Sequence, residues 1–337
     1  VIQRALEDRM EHGVFGYTST DDQYNQVVAD YYQKKYGCHV DANWVVWVPG
    51  IVASLSLAIR SLSKQHQQVL TPDIVYPYFH TTPAAAGKQA NHLTMTYAQN
   101  RVRIDIDALE KRNAQSARVM LFCNPQNPGG AIYTRDELRR IDDYCEANNL
   151  VLVSDEIHAD IILDKHKKHV PYLDVSAHAL NNSIVLGAAS KAFNVAGLAC
   201  SWAVIANDDL RQAFKDEMHG IISEINPFGY TATLAALSQG DDWLAAMNSY
   251  LCDNRDYLLE ELNAIKGLQM LPLESTFLAW VDVSELKLED PCAFFEAAGV
   301  GLSPGSNFND TNFLRLNFGC ARSVLEEAVK RIKAALI

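Results

Sequence analysis

The chain is short of positive charge, of paired cysteines and of long apolar runs, and each shortage closes off a class of function. Its 337 residues carry 29 Lys and Arg against 41 Asp and Glu, a formal net charge of −12 at pH 7. Such a surface repels phosphate backbones, so a small-molecule ligand is expected and a nucleic-acid partner is not. The seven cysteines, Cys38, Cys123, Cys145, Cys200, Cys252, Cys292 and Cys320, form no C-x-x-C pair and make an odd total. That scatter predicts neither a metal site nor a disulfide frame, and it fits a reducing cytoplasm. No apolar run approaches the roughly 20 residues needed to cross a bilayer, so no membrane partner is expected. Internal repeats and low-complexity tracts are lacking as well. The chain opens Val1-Ile2-Gln3 rather than with Met, from which a further N-terminal portion is expected upstream.

What is present suits a large folded unit. The hydrophobic share of 48% is ordinary for a globular protein, and the length allows one big or two moderate domains. The middle of the chain alternates short continuous apolar runs with amphipathic helices, the pattern of a parallel sheet covered on both faces. Predicted strands are Arg118 to Cys123, Leu150 to Ser154, Ser183 to Gly187 and Ser201 to Ala206. Between the first two, Thr134-Arg-Asp-Glu137 reads as a capping box, with Leu138, Ile141 and Tyr144 or Cys145 on one helix face, which makes a β-α-β unit. After about Asp241 the pattern changes to a long helix, Trp243 to Ile265, then strands Thr276 to Val283 and Asn312 to Phe318. A last helix is predicted from a second capping box, Ser323-Val-Leu-Glu326, with Leu325, Val329 and Ile332 on one face. The basic run Asp164-Lys-His-Lys-Lys-His169 reads as a solvated turn.

One lysine stands out. The strand Ser183 to Gly187 delivers Lys191 among small residues, and three other segments accompany it: Asn124-Pro-Gln-Asn-Pro-Gly-Gly130, Ser154-Asp-Glu-Ile-His158 and Phe313-Leu-Arg-Leu-Asn-Phe318. Each is placed just after a predicted strand, where α/β folds put their ligands. Taken singly they have plainer readings: Asn-Pro-Gly as a turn, Asp155-Glu156 as a helix-terminal acid pair, His158 as a structural histidine, Arg315 as a strand-edge arginine facing water. Trp47-Val-Pro-Gly50, followed by the amphipathic run Ile51 to Leu62, offers amides at a helix N-terminus to an anion.

In order and spacing, Asn127, Asp155, Lys191 and Arg315 resemble the fold type I enzymes that use pyridoxal 5′-phosphate, the class I/II aminotransferase superfamily. The resemblance runs from Phe15 to Phe318. It implies an aspartate-aminotransferase-like α/β fold: an N-terminal arm over residues 1–20, a three-layer α/β/α cofactor-binding domain with a mainly parallel sheet over 21–240, and a smaller α+β domain over 241–337. It also implies roles. Lys191 would carry the cofactor as a Schiff base and then remove the substrate α-proton, Asp155 would pair with the pyridine nitrogen, and Asn127 and His158 would face the ring oxygen. Tyr76 would stack on the ring, while the amides of Ile51 and Val52, the Ser190 hydroxyl and Tyr17 of a second subunit would reach the phosphate. Arg315 would clamp the carboxylate of an amino-acid substrate. A homodimer with shared sites follows.

Two positions depart from the family pattern. Many aminotransferases have a serine three residues before the lysine and an arginine eight after it, and here these are Ala188 and Ala199. With Asp-Glu-Ile-His and Leu-Arg-Leu-Asn-Phe, that departure resembles the cystathionine β-lyase-like C–S lyases of the MalY/PatB type. A β-lyase acting on L-cystathionine or related L-cysteine conjugates is therefore the leading expectation, an aminotransferase the second, and a non-catalytic regulatory module of the same fold a remote third.

Overall fold

A strand whose every side chain is buried is covered on both faces of its sheet, and four of the described strands are of that kind. The computed structural model describes residues 1–63, 68–114 and 116–337. The chain opens with α1 (Ile2–His12) and α2 (Asp22–Tyr36), the second capped by Asp21, whose carboxylate accepts from the amides of Gln23 and Tyr24. Strand β1 (Val45–Val48) leads through Gly50 into α3 (Ile51–Leu62). Next come β2 (Gln68–Pro72), α4 (Tyr78–Ala85), β3 (Gln89–Leu93), the short pair β4 (Met95–Thr96) and β5 (Arg103–Ile104), and α5 (Ile106–Glu110). The expected β-α-β unit is β6 (Ala117–Cys123), α6 (Arg135–Ala147) and β7 (Val151–Asp155), with β6 and β7 paired in parallel. Thr134 and Glu137 make both bonds of the capping box that starts α6.

After α7 (Ala177–Asn181) come β8 (Ser183–Gly187), β9 (Ser201–Val204), α8 (Asp208–Met218) and α9 (Pro227–Gln239). The large sheet runs β1-β9-β8-β7-β6-β2-β3. It is mainly parallel, as expected, but β9 is reversed and pairs antiparallel with both β8 and β1. The segment from β8 to β9 contains no α-helix to carry the chain across a face, so the chain returns in the opposite direction. Helices cover both faces: α2 and α6 contribute to one core, α3 and α8 to the other.

The rest of the chain is α10 (Asp241–Asn263), β10 (Gln269–Met270), β11 (Leu278–Asp282), α11 (Pro291–Ala297), β12 (Ser303–Pro304), β13 (Phe313–Asn317) and α12 (Arg322–Ala335). Its strands form an antiparallel sheet, β10-β11-β13-β12. Leu251, Leu258 and Leu262 of α10 and Leu325, Val329 and Ile332 of α12 bury one face of it. The same core takes Ile161, Ala189 and Phe193 from the side of the large sheet, and an isolated bridge joins Ile162 to Ser275. The small sheet is thereby packed onto the edge where Lys191 emerges.

Two sequence expectations are corrected. The second capping box does not form: α12 starts at Arg322 with Ala321 at the cap, and no side chain caps it. The Arg322 amide donates instead to Tyr250 Oη on α10 at 2.7 Å, which leaves Ser323 inside the first turn. The basic run is solvated only in part. Lys165, His166 and Lys168 are exposed, but His169 is buried with Nε2 2.8 Å from Glu156 Oε2. A buried carboxylate must be satisfied, and Glu156 also accepts from Ser154 Oγ and the Tyr172 amide, each at 2.9 Å.

Candidate active site

A cavity of about 330 Å³ lies beyond the carboxyl ends of β6, β7 and β8, against the N-terminus of α3 and the small sheet. Ile51, Val52, Tyr76, Asn127, Asp155, His158, Ser190, Lys191 and Arg315 all line it. Of the residues singled out from the sequence, Tyr17 alone stands apart, 96% exposed on the N-terminal segment.

Asp155 closes β7, where the strand's run of buried apolar side chains ends. Its Oδ1 accepts from the Ile157 amide at 3.1 Å, an Asx turn that bends the chain back toward His158. Burial pushes its carboxyl up to about 7, opposed by that hydrogen bond and by the positive charge of Lys191. It is an acid poised to accept a cation. His158 is also buried, and burial together with Lys191 and Arg315 pulls it down to about 3, so its imidazole is neutral at physiological pH. Its Nδ1 is buried and has no partner among the described residues. The ring meets Phe277 edge-on with centroids 5.8 Å apart.

Asn127 sits in the turn after β6, which Gln126 holds in shape. Gln126 Nε2 donates to the Ile74 carbonyl at 2.7 Å, and its Oε1 accepts from the Gly129 amide at 2.6 Å. Arg315 reaches across from β13 and donates from Nη1 to Asn127 Oδ1 at 3.2 Å. This leaves Asn127 Nδ2 as a donor toward the cavity. Arg315 Nη2 reaches Ser303 Oγ at 3.4 Å, and the guanidinium lies 4.6 Å from the centre of the Phe308 ring. No carboxylate pairs with it among the described residues, and burial lowers its basicity. It is a cation poised to accept an anion.

Lys191 lies in a turn built by its neighbours: Phe193 N donates to Ala189 O at 2.9 Å and Val195 N to Ser190 O at 3.1 Å. The turn is seated by Gly187, where a Cβ would come within 2.6 Å of the Trp202 ring. Gly50, at φ 112°, turns β1 into α3 with no side-chain cap, and Ser201 of β9 steadies it by donating to Val48 O at 2.7 Å while accepting from Gly50 N at 3.0 Å. The first-turn amides of α3 thus face the cavity. Tyr76 lines the same space, its phenol pushed up by burial, by Tyr78 and by Asp155. Ala188 is buried and Ala199 is exposed at φ 48°, so neither position supplies a polar side chain.

Cys123, Ile157, Ala196, Phe277, Leu278 and Asn317, which did not stand out in the sequence, also line the cavity. Asn317 had a signal: it lies two residues beyond Arg315 on one strand and so shares its face. Phe277 had none, because its position depends on Thr276 at φ 72° and on the Thr276 amide donating to the Ile161 carbonyl at 3.2 Å. Arg315 lies within β13, inside the predicted strand Asn312 to Phe318 and not just after a strand like the other segments. The reason is that it belongs to the antiparallel sheet, to which the strand-end rule for parallel sheets does not apply.

Known proteins share this arrangement of chain. A cystathionine beta-lyase, PatB of Bacillus subtilis, is 32% identical over 347 residues, covering 99% of this chain and 88% of its own. The crystal structure of OvoB superposes with a TM-score of 0.96 at 38% identity, covering 99% of this chain and 88% of that one. The PLP-bound C–S lyase of Staphylococcus hominis superposes at 0.92 with 29% identity, covering 100% and 85%. The family model for aminotransferase class I and II matches residues 1–332, and the chain belongs to that family.

Proposed function

We propose that this chain is a pyridoxal-phosphate-dependent C–S β-lyase acting on L-cystathionine or related L-cysteine conjugates. The observation that carries the reading is a buried acid, Asp155 at the strand end, and a half-buried base, Arg315, in one cavity with no ion-pair partner among the described residues, and Lys191 lining the same space. The residues fit the cofactor. Asp155 suits a protonated ring nitrogen, and Nδ2 of Asn127 and the neutral His158, whose Nδ1 has no partner among the described residues, suit the ring oxygen. Tyr76 offers a face for stacking, and the amides of Ile51 and Val52 with the Ser190 hydroxyl offer a phosphate cradle. Tyr17, exposed on its arm, is assigned to the phosphate of a second subunit in a homodimer. The assignment divides the chain into an arm over 1–20, a cofactor domain over 21–240 and a small domain over 241–337. The scattered cysteines support a cytoplasmic location.

In the reaction, Arg315 holds the substrate carboxylate with two parallel hydrogen bonds and so orients the α-hydrogen. Lys191 Nζ takes that proton and is the group positioned to return it to the departing sulfur. When bound, pyridoxal phosphate supplies an electron sink for the pair released at the α-carbon. The C–S bond breaks with its electron pair on sulfur, and with one water the conjugate becomes a thiol, pyruvate and ammonium. An aminotransferase would use the same residues but would require a keto acid. The lyase reading is favoured by relatives named for C–S cleavage that span nearly the whole chain. Incubating the cofactor-loaded protein with L-cystathionine and no keto acid decides between them. Equal amounts of pyruvate and thiol are expected; turnover only after a keto acid is added would overturn the proposal.

A further inference from the structure

A second chamber, of about 430 Å³, adjoins the cofactor cavity and shares Ser190, Lys191, Ala196, Phe277 and Asn317 with it. Its outer wall is a stripe of α10. Trp243, Met247, Tyr250 and Leu251 recur at helical spacing on the face turned toward the Lys191 turn, and Cys320 closes the side. Trp243 and Tyr250 are large side chains left 48% and 46% exposed. Trp243 is nonetheless oriented, stacked on Phe193 with ring centroids 5.6 Å apart and planes at 26°. Flat aromatic faces and polarizable sulfur favour aromatic groups.

The charge of the chamber is as informative as its shape. Among the described residues that line it, Lys191 is the one charged side chain, and no Asp or Glu is present. Arg315, the cation of the adjoining cavity, does not line the chamber. The far end of L-cystathionine carries an ammonium and a carboxylate, and here the ammonium would lose water with no carboxylate in the lining to offset the loss. An uncharged ring incurs no such cost.

We infer that this chamber receives the sulfur substituent of the substrate and selects L-cysteine conjugates bearing an uncharged aromatic group over L-cystathionine, an inference that rests on the C–S lyase reading of the adjoining site. The α-carboxylate then sits on Arg315, the reacting carbons lie at Lys191, and the substituent extends along α10. The departing thiol leaves through the open side beside Trp243 and Tyr250.

The test uses Lys191→Ala protein loaded with pyridoxal phosphate, which lacks the base and retains the other residues that line the chamber. Calorimetric titration with S-benzyl-L-cysteine and with L-cystathionine should show the first binding at least about tenfold tighter. Trp243→Ala, and separately Met247→Glu, introduced into the same protein should shrink that ratio to about threefold or less, with unchanged circular dichroism confirming the fold. Equal affinities for the two ligands, or a preference that survives both substitutions, overturns the inference. Pyruvate release by the protein with Lys191 intact reports separately on the chemistry. Its absence alongside an intact binding preference sinks the lyase reading and leaves the chamber assigned, whereas its presence alongside equal affinities sinks the chamber alone.

Discussion

The wall of the cavity built on the large sheet and the wall built on the small sheet present their side chains in different ways. Asn127, Asp155 and Lys191 come from the ends of parallel strands or the turns just beyond them, each turn with its own hydrogen bonds. Arg315 and Asn317 come from within one antiparallel strand, at a spacing that the pleat alone sets. In register, Arg315 lies opposite Trp280 on one neighbour and Ser303 on the other. Turns let each group be aimed independently, as a constellation around a flat cofactor requires. A strand holds a pair at fixed separation, as a clamp for a carboxylate requires. The two walls also carry ionisable groups of opposite sign that have no ion-pair partner among the described residues, an acid raised by burial on one and a base weakened by burial on the other. Each leaves a place for a ligand group of the complementary charge.

Substitutions can break this comparison in order of size. Lys191→Ala removes the base itself and should lower pyruvate release by at least about 10⁴-fold, with the visible absorbance of the bound cofactor changed and the circular dichroism retained. Arg315→Ala on the opposite wall should cost about 10²-fold in kcat/KM, mostly through KM, and Arg315→Lys should recover only part of this because an ammonium cannot make the two parallel bonds. If kcat alone fell, the clamp assignment would be wrong.

Asp155 sharpens the contrast through pH. Its folded value, about 7, lies above the ordinary carboxylate value of 3.8. Ionising it in the cofactor-free fold is therefore unfavourable: its contribution to stability is complete below the ordinary value and is lost as pH rises toward 7. Asp155→Asn has no such loss. Without cofactor, the variant should match the parent near pH 4 and exceed it by on the order of 2 kcal/mol at pH 8, measured by denaturant melts. With cofactor bound, the carboxylate gains a cation and the parent should be the more stable at pH 8. The smallest effect belongs to the seat of the Lys191 turn. Gly187→Ala drives a methyl into Trp202 and should cost about 1–2 kcal/mol of stability, with a loss of activity that tracks the displaced turn.

Much of the large-sheet wall was legible because its signals are local. An apolar run that ends in Asp155, a turn of Asn, Pro and Gly after another such run, and a lysine among small residues each occupy a few consecutive positions. The capping box at Thr134 was legible for the same reason, since both partners lie within one helical turn. The matching pattern at Ser323 failed because Tyr250, 72 residues earlier in the chain, captured the amide of Arg322. His169 was read as part of a solvated charge run because its partner, Glu156, becomes its neighbour only when the turn folds back over β7.

By itself the sequence determined which segments become strands, where the chain turns after them, and which residue types stand at those turns, because backbone preference and hydrophobic periodicity act over a few residues. The tertiary structure decided the rest. It reversed β9, set Phe277 and Asn317 in the cavity wall, and left Asp155 and Arg315 without an ion-pair partner among the described residues. It also turned one face of α10 toward Lys191 to make a second chamber. These outcomes depend on contacts between distant parts of the chain, and burial, which sets both the shifted acidities and the shape of the space, exists only once those parts are packed together.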